Sequence, residues 1–511
     1  MLVSHILVID CGSTGIRTIL VNSKSHIVYR DYKKIEILHP EDGATENSPT
    51  QIWETFKEIV QKALHTPLLK IDAIAITNQR STFALWDRQS GVPLTNFINW
   101  QDVRAANTAR RMNKNPIWLL LRTFAFIVGR VLKNPLLTVT SMLKLNTDHT
   151  ICKLRWLLDN NKELEKRCFN SEVNFGTIDS WLLYKLTGNK VHGTDYTNAA
   201  ATTLLNPFMM KWNTLFCKIF KLPMQILPTV YNTNETFGHT SKEIFGKEIP
   251  IKCLVGDQQA SLFGHRCFNK GEAKISLGSG GFVSMNVGPK PKFSTKGLFP
   301  LIGWTLDKKP TYKLEGQVAT VGTFIDWLIN DMEMFKSPVE LDSYASKCDN
   351  TQGVFVIPTL SGIRFPYFKP DLNASISGLS LKVSKPHLAR AILEGIAHRV
   401  MDIIEGMESE TKISIPNLKI DGGVSNSDVL MQMIADLSGK VVYRSTESDL
   451  ASLGAAYFAG LSSGMFKSTK EILNIKIPNK RFNPNYSLER RVKERKLWRD
   501  HIKKSEKMFP A

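Results

Sequence analysis

Four short segments of the 511-residue chain carry the residue types that phosphate chemistry uses. The first runs Asp10-Cys11-Gly12-Ser13-Thr14-Gly15-Ile16-Arg17. Its glycines bare backbone N–H groups, its hydroxyls add donors, Arg17 adds a fixed cation, and Asp10 can hold Mg²⁺ through water. The second, Gly256-Asp257-Gln258-Gln259, sets a carboxylate at a strand end just before a small-residue helix, where a lone Asp is more often a cap. Leu277-Gly278-Ser279-Gly280-Gly281 is the third and Asp421-Gly422-Gly423-Val424-Ser425-Asn426 the fourth. Each alone could be a structural turn. Other phosphate and catalytic motifs are absent: no G-x-x-x-x-G-K-[ST] occurs, LGSGGFV has Val283 where a dinucleotide fingerprint needs glycine, and there is neither H-E-x-x-H nor a nucleophile elbow.

The elements that must position these turns alternate between strand and helix. HILVID, the turn CGSTG and IRTILVN read as strand–turn–strand, and IDAIAITNQRSTFALWD repeats the idea. Helical spacing follows in ICKLRWLLDN and DSWLLYKLTG. Then come IKCLVG before a small-residue helix, the strand pair of EAKISLGSGGFVSMNV, a long helix after Ser384, the strand LKID, and helices DVLMQMIADLSG and LASLGAAYFAGLSSG. The last of these, rich in Ala and Gly, suits close backbone contact. This alternation is α/β, with a boundary near residues 262–268, where a second strand–glycine-turn–strand unit begins.

Composition excludes several classes. The chain is 42% apolar and 22% charged, with 32 Gly and 23 Pro, ordinary for a globular protein. Seven scattered cysteines without C-x-x-C argue against a disulfide framework or a structural zinc site. The N-terminal segment reads as neither a secretory signal nor a transit peptide. The net charge of +19 suits an anionic partner. Nearly half of it lies beyond Leu461, where LERRVKERKLWRDHIKKSEK reads as a solvated terminal helix; no nucleic-acid-binding motif accompanies it, so no nucleic-acid partner is expected. Pro116-IWLLLRTFAFIVGRVLKNPLL is interrupted by Arg122 and Arg130, too soon for a membrane span. Two readings of it stay open: a helix packed on a domain, or a basic amphipathic helix in peripheral contact with anionic lipid.

Taken in order, the four turns resemble those of the FGGY carbohydrate kinases, α/β proteins with two ribonuclease-H/actin-like ATPase domains and an interdomain cleft. Within that family ITNQR, NWQD, KLRWLLDN, FGTIDSWLLYKLTG, DYTNAA, GDQQASLFG, LEGIA, DGG and LGAAYFAGL are most similar to glycerol kinases, and the aromatic-rich insert near 112–147 to the divergent glycerol kinase 5 branch. The resemblance implies an N-terminal domain over 1–264, a nucleotide-side domain over 265–466 and a basic tail over 467–511. It implies phosphorylation of glycerol by ATP with Mg²⁺. Asp257 matches the general base and Gln258 its substrate-holding neighbour; Arg80, Trp100 and Phe282 match polyol contacts. Ser13, Thr14 and Arg17 match phosphate-side residues, and Gly278, Ser279, Gly322, Gly423 and Ser427 match positions around the nucleotide. Mg²⁺ would lie between Asp10, Asp257 and the phosphates. Family members often form homo-oligomers, and the expected location is cytoplasmic, with peripheral mitochondrial or other membrane association as a further expectation.

Departures from the pattern bear on the substrate. Ser81 stands where glycerol kinases have Glu, Asp148 falls where they have a substrate-binding Tyr, Ser427 where an Asn lies near the adenine, and Asp326 where they have Gln. Losing a charged acceptor weakens a hydroxyl contact by about 1.5–3 kcal/mol. The alternatives are therefore a kinase for another small polyol or ketose, and a catalytically weak nucleotide-binding module.

Overall fold

The computed structural model describes residues 4–66, 70–360, 362–369 and 371–508, so the ends of the N-terminal segment and of the basic tail lie outside it. Two large mixed sheets organise the chain. The first has the strand order Gly238–His239, Pro250–Gly256, Lys70–Asn78, Ser4–Cys11, Gly15–Asn22, Ile27–Lys34. The second runs Phe299–Leu306, Lys309–Val318, Gly281–Gly288, Ala273–Leu277, Leu418–Asp421, Val442–Ser445, Asn479–Phe482. Each is built around the same plan. A central strand pairs antiparallel with the next through a glycine turn, and parallel with a later strand on its other side.

The run ILVI at residues 6–9 shows why the first sheet is covered on both faces. Leu7 and Ile9 pack with Ile52 and Phe56 of helix Pro49–Leu64. Ile6 and Val8 point the opposite way, into a core with Phe263, Leu453 and Phe458. A near-continuous apolar strand is what two buried faces require. The second core therefore joins helix Asp257–Gly264 to helix Leu450–Ser463, which are distant in sequence. A Cβ at Gly264 would lie 1.9 Å from the Leu450 carbonyl oxygen, and one at Gly454 would lie 1.8 Å from that of Ala260. The small residues of LASLGAAYFAGL thus permit the backbone contact their composition suggested. It ties the start of the second glycine-turn unit to the first sheet.

The second sheet packs on helix Lys385–Thr411, whose Ile392, Ile396, Val400 and Ile403 are all fully buried at helical spacing. The terminal basic segment does form a helix, Leu488–Met508, but the expectation of full solvation is wrong. Trp498 and Ile502 are buried, Trp498 stacks on His398 at 5.0 Å, and Arg495 pairs with Asp402 at 2.6 Å. The segment has two aromatic and apolar positions four residues apart, enough to dock one face while the lysines stay in water. The preceding strand Asn479–Phe482 adds an edge to the second sheet.

A smaller four-stranded sheet (Glu46–Asn47, Phe97–Ile98, Phe83–Asp87, Val173–Thr177) and its own core carry the insert. There Pro116–Val131 and Pro135–Met142 form a helical hairpin, each capped by the Asn before its proline. No helix among the described residues is long and apolar enough to cross a membrane. All seven cysteines are free.

Candidate active site

The first-sheet strands Ser4–Cys11, Lys70–Asn78 and Pro250–Gly256 are parallel neighbours or share a parallel neighbour, so their carboxyl ends open together. Ligands of open α/β sheets gather at such ends. Asp10 lies near the first end, Arg80 just past the second, and Asp257 opens the helix after the third. A cavity of about 290 Å³ lies there, lined by Ser13, Arg80, Ser81, Trp100, Asp257, Gln258 and Phe282 among others. The five positions proposed for polyol contact thus surround one space.

Within it, Arg80 Nε stands 3.6 Å from Asp257 Oδ1, and the Gln258 backbone N–H donates to the same oxygen at 2.7 Å. Arg80 Nη2 donates to Glu315 Oε1 at 2.8 Å, reaching across to the second sheet. Glu315 in turn accepts from Lys313 Nζ at 2.6 Å and from Ser284 Oγ at 3.2 Å. Although burial pushes its carboxyl upward, the Arg80 and Lys313 charges dominate and hold it well below the usual range. Burial brings Lys313 down to about 7 against the attraction of Glu315. Behind Gln258, the fully buried Lys274 ammonium donates to Gln258 Oε1 at 2.6 Å and to Ser276 Oγ at 2.7 Å. With its carbonyl engaged, the Gln258 side chain keeps its NH₂ for a ligand.

Asp10 carries the most telling electrostatics. Burial, then the charge of Asp257, raise its carboxyl to about 7, with Asp449 adding to the rise and Arg17 opposing it. Asp10 and Asp257 are thus near enough for the charge of one to act on the other, and no group of three or more metal-binding side chains occurs among the described residues. Arg17 is itself paired with Asp449, the residue before helix Leu450–Ser463, and Arg30 Nε holds the other Asp449 oxygen at 2.8 Å. Ser13 is drawn toward the cavity, accepting from Trp100 Nε1 at 3.2 Å and donating to Gln79 Oε1 at 2.7 Å. Thr14 is exposed at the turn.

The residues matched to the nucleotide gather on the second sheet, outside the lining of that cavity. The Gly322 N–H donates to the Gly278 carbonyl at 2.9 Å, and those of Val321 and Thr323 to the Ser279 carbonyl at 3.0 Å. Glycine is required where these turns stack: Gly422 has φ +95°, and a Cβ there would sit 2.3 Å from the Leu277 carbonyl oxygen. Gly423 faces open space. Ser427 caps helix Asp428–Ser438, accepting from the Leu430 N–H at 3.0 Å while its hydroxyl donates to Asp342. Helix Asp257–Gly264 bonds this group to the cavity: Asp421 Oδ2 lies 2.9 Å from His265 Nε2 and accepts from Ser261 Oγ at 3.3 Å. Against the push of burial, His265 and Lys274 hold Asp421 down to about 2. The third and fourth turns thus stack, and contacts through that helix link them to the carboxylates of the first and second.

Sequence reasoning missed Lys274, Lys313, Glu315, Gln317, Gln79 and Asp449. A signal existed for three of these: Lys313, Glu315 and Gln317 alternate along one strand, so all three share a face. Of the departures, Ser81 (φ 67°) donates its hydroxyl to the Ala201 carbonyl at 2.9 Å. Asp148 lines the cavity and lies 3.4 Å from Arg364, which also donates to Gln317 Oε1 at 3.0 Å.

A repeated sheet plan with strand-end carboxylates at the meeting of two lobes defines a sugar-kinase type of protein. The chain belongs to the FGGY family of carbohydrate kinases: its residues 5–264 match the N-terminal domain of that family and 273–463 the C-terminal domain. More particularly, it is 36% identical over 487 residues to glycerol kinase 5 of Danio rerio, covering 95% of this chain and 92% of that one. It is 35% identical to glycerol kinase 2 of Clostridium tetani, covering 98% and 99%. Among solved structures, Plasmodium falciparum glycerol kinase with ADP is similar at a TM-score of 0.90 and 28% identity, over 98% of each chain.

Proposed function

We propose that the chain transfers the terminal phosphoryl group of ATP to a primary hydroxyl of glycerol, giving sn-glycerol 3-phosphate and ADP. The observation that carries this reading is the single cavity in which Asp257, Gln258, Arg80, Trp100 and Phe282 meet. Asp257 accepts the hydroxyl proton as the oxygen bonds to phosphorus and the bond from that phosphorus to the ADP oxygen breaks. Arg80 and Gln258 hold polyol hydroxyls; Trp100 and Phe282 pack against the carbon chain. The division into a polyol-side domain over 1–264, a nucleotide-side domain over 265–466 and a basic tail over 467–511 goes with it. Ser13, Thr14 and Arg17 then serve the phosphates, with Arg17 exchanging Asp449 for a phosphate. Gly278, Ser279, Gly322 and Gly423 serve the nucleotide, and Ser427 lies near it while committed to its cap.

Mg²⁺ fits the pair of carboxylates. Asp10 is half-buried, and its carboxyl is raised to about 7 by desolvation and by the charge of Asp257, a repulsion that a hard cation would relieve. Asp10 and Asp257 would hold the ion, with oxygens of water and phosphate completing its shell; bound there, it offsets phosphate charge. Ser452 of helix Leu450–Ser463 donates to Asp10 Oδ2 at 3.4 Å.

A second reading has support at the cavity edge. Asp148 and Gln317 are joined there through Arg364, and Ser81 lacks the charge of a carboxylate, which suits a polyol longer than glycerol. An ADP-release assay over glycerol, longer polyols and ketoses tests both readings. Glycerol should give the highest kcat/KM; a ketose or longer polyol exceeding it by more than about tenfold would replace the first reading with the second.

A further inference from the structure

The insert leaves an apolar helix face uncovered. Along Pro116–Val131, Trp118, Ala125 and Gly129 are buried: Trp118 meets Phe216 at 5.1 Å, and Gly129 lies where a Cβ would stand 2.9 Å from the Thr138 backbone nitrogen of the companion helix. The opposite side carries Ile117, Leu120, Phe124, Ile127 and Val131 at successive spacings of three and four residues. Their exposures are 56, 70, 59, 56 and 74%. That spacing is the stripe by which a helix buries itself, and here it points into solvent. Leu119 and Phe126, 44 and 51% exposed, widen it to roughly half the helix circumference at 100° per residue. A seam for one partner helix is narrower.

Charge selects what covers it. From Val103 to Thr147 the chain has eight Lys or Arg residues and no Asp or Glu. Arg110, Arg111, Lys114, Arg130, Lys133 and Lys144 are exposed, and the Arg130 guanidinium lies 5.3 Å from the centre of the Phe126 ring. A second copy would bring like charges together with no carboxylate in the segment to offset them. An anionic lipid surface offers hydrocarbon for the stripe and phosphate for its rim. We propose that this helix lies in the interface of a bilayer rich in anionic phospholipid, with the stripe among the acyl chains and the basic side chains at the headgroups. A 16-residue helix with two arginines lies on a membrane and does not cross it. The first of the two readings open from sequence, a helix packed on the domain, accounts for one face only.

The test is sedimentation of the full chain with phosphatidylserine–phosphatidylcholine vesicles and with phosphatidylcholine vesicles alone, which does not depend on the kinase reading. The chain should bind the anionic vesicles at low salt and detach as salt rises. Leu120→Glu/Ile127→Glu should weaken binding by at least about tenfold, since both positions lie in the apolar contact, with an unchanged melting temperature because both are exposed. Arg130→Glu/Lys133→Glu should weaken it on anionic vesicles alone. The proposal fails if wild type does not sediment at low salt, or if the stripe variant binds as wild type does, leaving the basic C-terminal helix as the contact. It fails equally if the stripe variant instead abolishes a dimer seen in solution, since a second copy would then be the occupant.

Discussion

The two sheets share a plan and divide the labour. In the first, the turn between the paired central strands is flanked by Asp10 and Arg17, and the parallel strands end in Arg80 and Asp257. In the second, the equivalent turn is Gly278-Ser279-Gly280, and the parallel strand ends in Asp421-Gly422-Gly423. At the turns themselves charge flanks the first lobe and bare backbone the second, whose charged groups Lys274, Lys313, Glu315 and Asp421 stand on its strands. One lobe is thereby suited to proton and cation chemistry, and the other to a ligand that must approach the main chain closely.

Removing the charge from the first lobe should have the largest effect. Asp257→Asn is expected to lower turnover about 10²–10⁴-fold while leaving ATP affinity near wild type, measured by ADP release and calorimetric titration. Turnover within threefold of wild type (roughly the spread of such effects) would break the assignment of charge to that lobe. Adding one methyl to the second lobe comes next. Gly422→Ala meets both a left-handed φ and the Leu277 carbonyl, so it should destabilise the protein by roughly 2–4 kcal/mol in chemical denaturation. A variant as stable as wild type would show that the turns are not packed as described.

The contact between the lobes is sharpened by Lys274→Met. It frees the Gln258 carbonyl from its ammonium partner, so the KM for the polyol should rise about tenfold with a smaller change in kcat. A kcat loss with unchanged KM would place Lys274 elsewhere in the reaction. The smallest effect concerns pH. Asp10 keeps its proton when folded up to about 7, whereas the unfolded chain releases it near 3.8, so its contribution makes stability fall as pH rises across that window. Asp195, raised to about 7 mainly by burial, acts in the same direction and forms the background. Asp10→Asn should therefore flatten the fall of melting temperature with pH by a few degrees. A slope identical to wild type would mean that Asp10 is not held as described.

The four turns were legible in the sequence because each combines glycine with small polar residues at a strand end, a local signal. The long helix after Ser384 was equally legible from its apolar spacing. What was not legible depends on distant pairing. Lys274 and Glu315 sit in alternating strands where a polar residue normally marks the solvent face; here Glu315 lines the cavity and Lys274 stands behind Gln258. Asp449 is 432 residues from Arg17, and nothing local joins them. Ser427 matches a nucleotide-side position by resemblance, and its hydroxyl also caps a helix. The terminal basic helix misled for a related reason: its two docking side chains, Trp498 and Ile502, are outnumbered by lysine and arginine, and density of charge concealed the apolar pair.

In the proposed reaction the two lobes together direct a phosphoryl group to an alcohol and away from water. Phosphorus-31 NMR of the full chain with ATP, Mg²⁺ and glycerol tests it most directly. A phosphomonoester resonance of glycerol 3-phosphate should grow in step with ADP, with little inorganic phosphate. Inorganic phosphate growing in step with ADP, or no reaction of ATP at all, would contradict it.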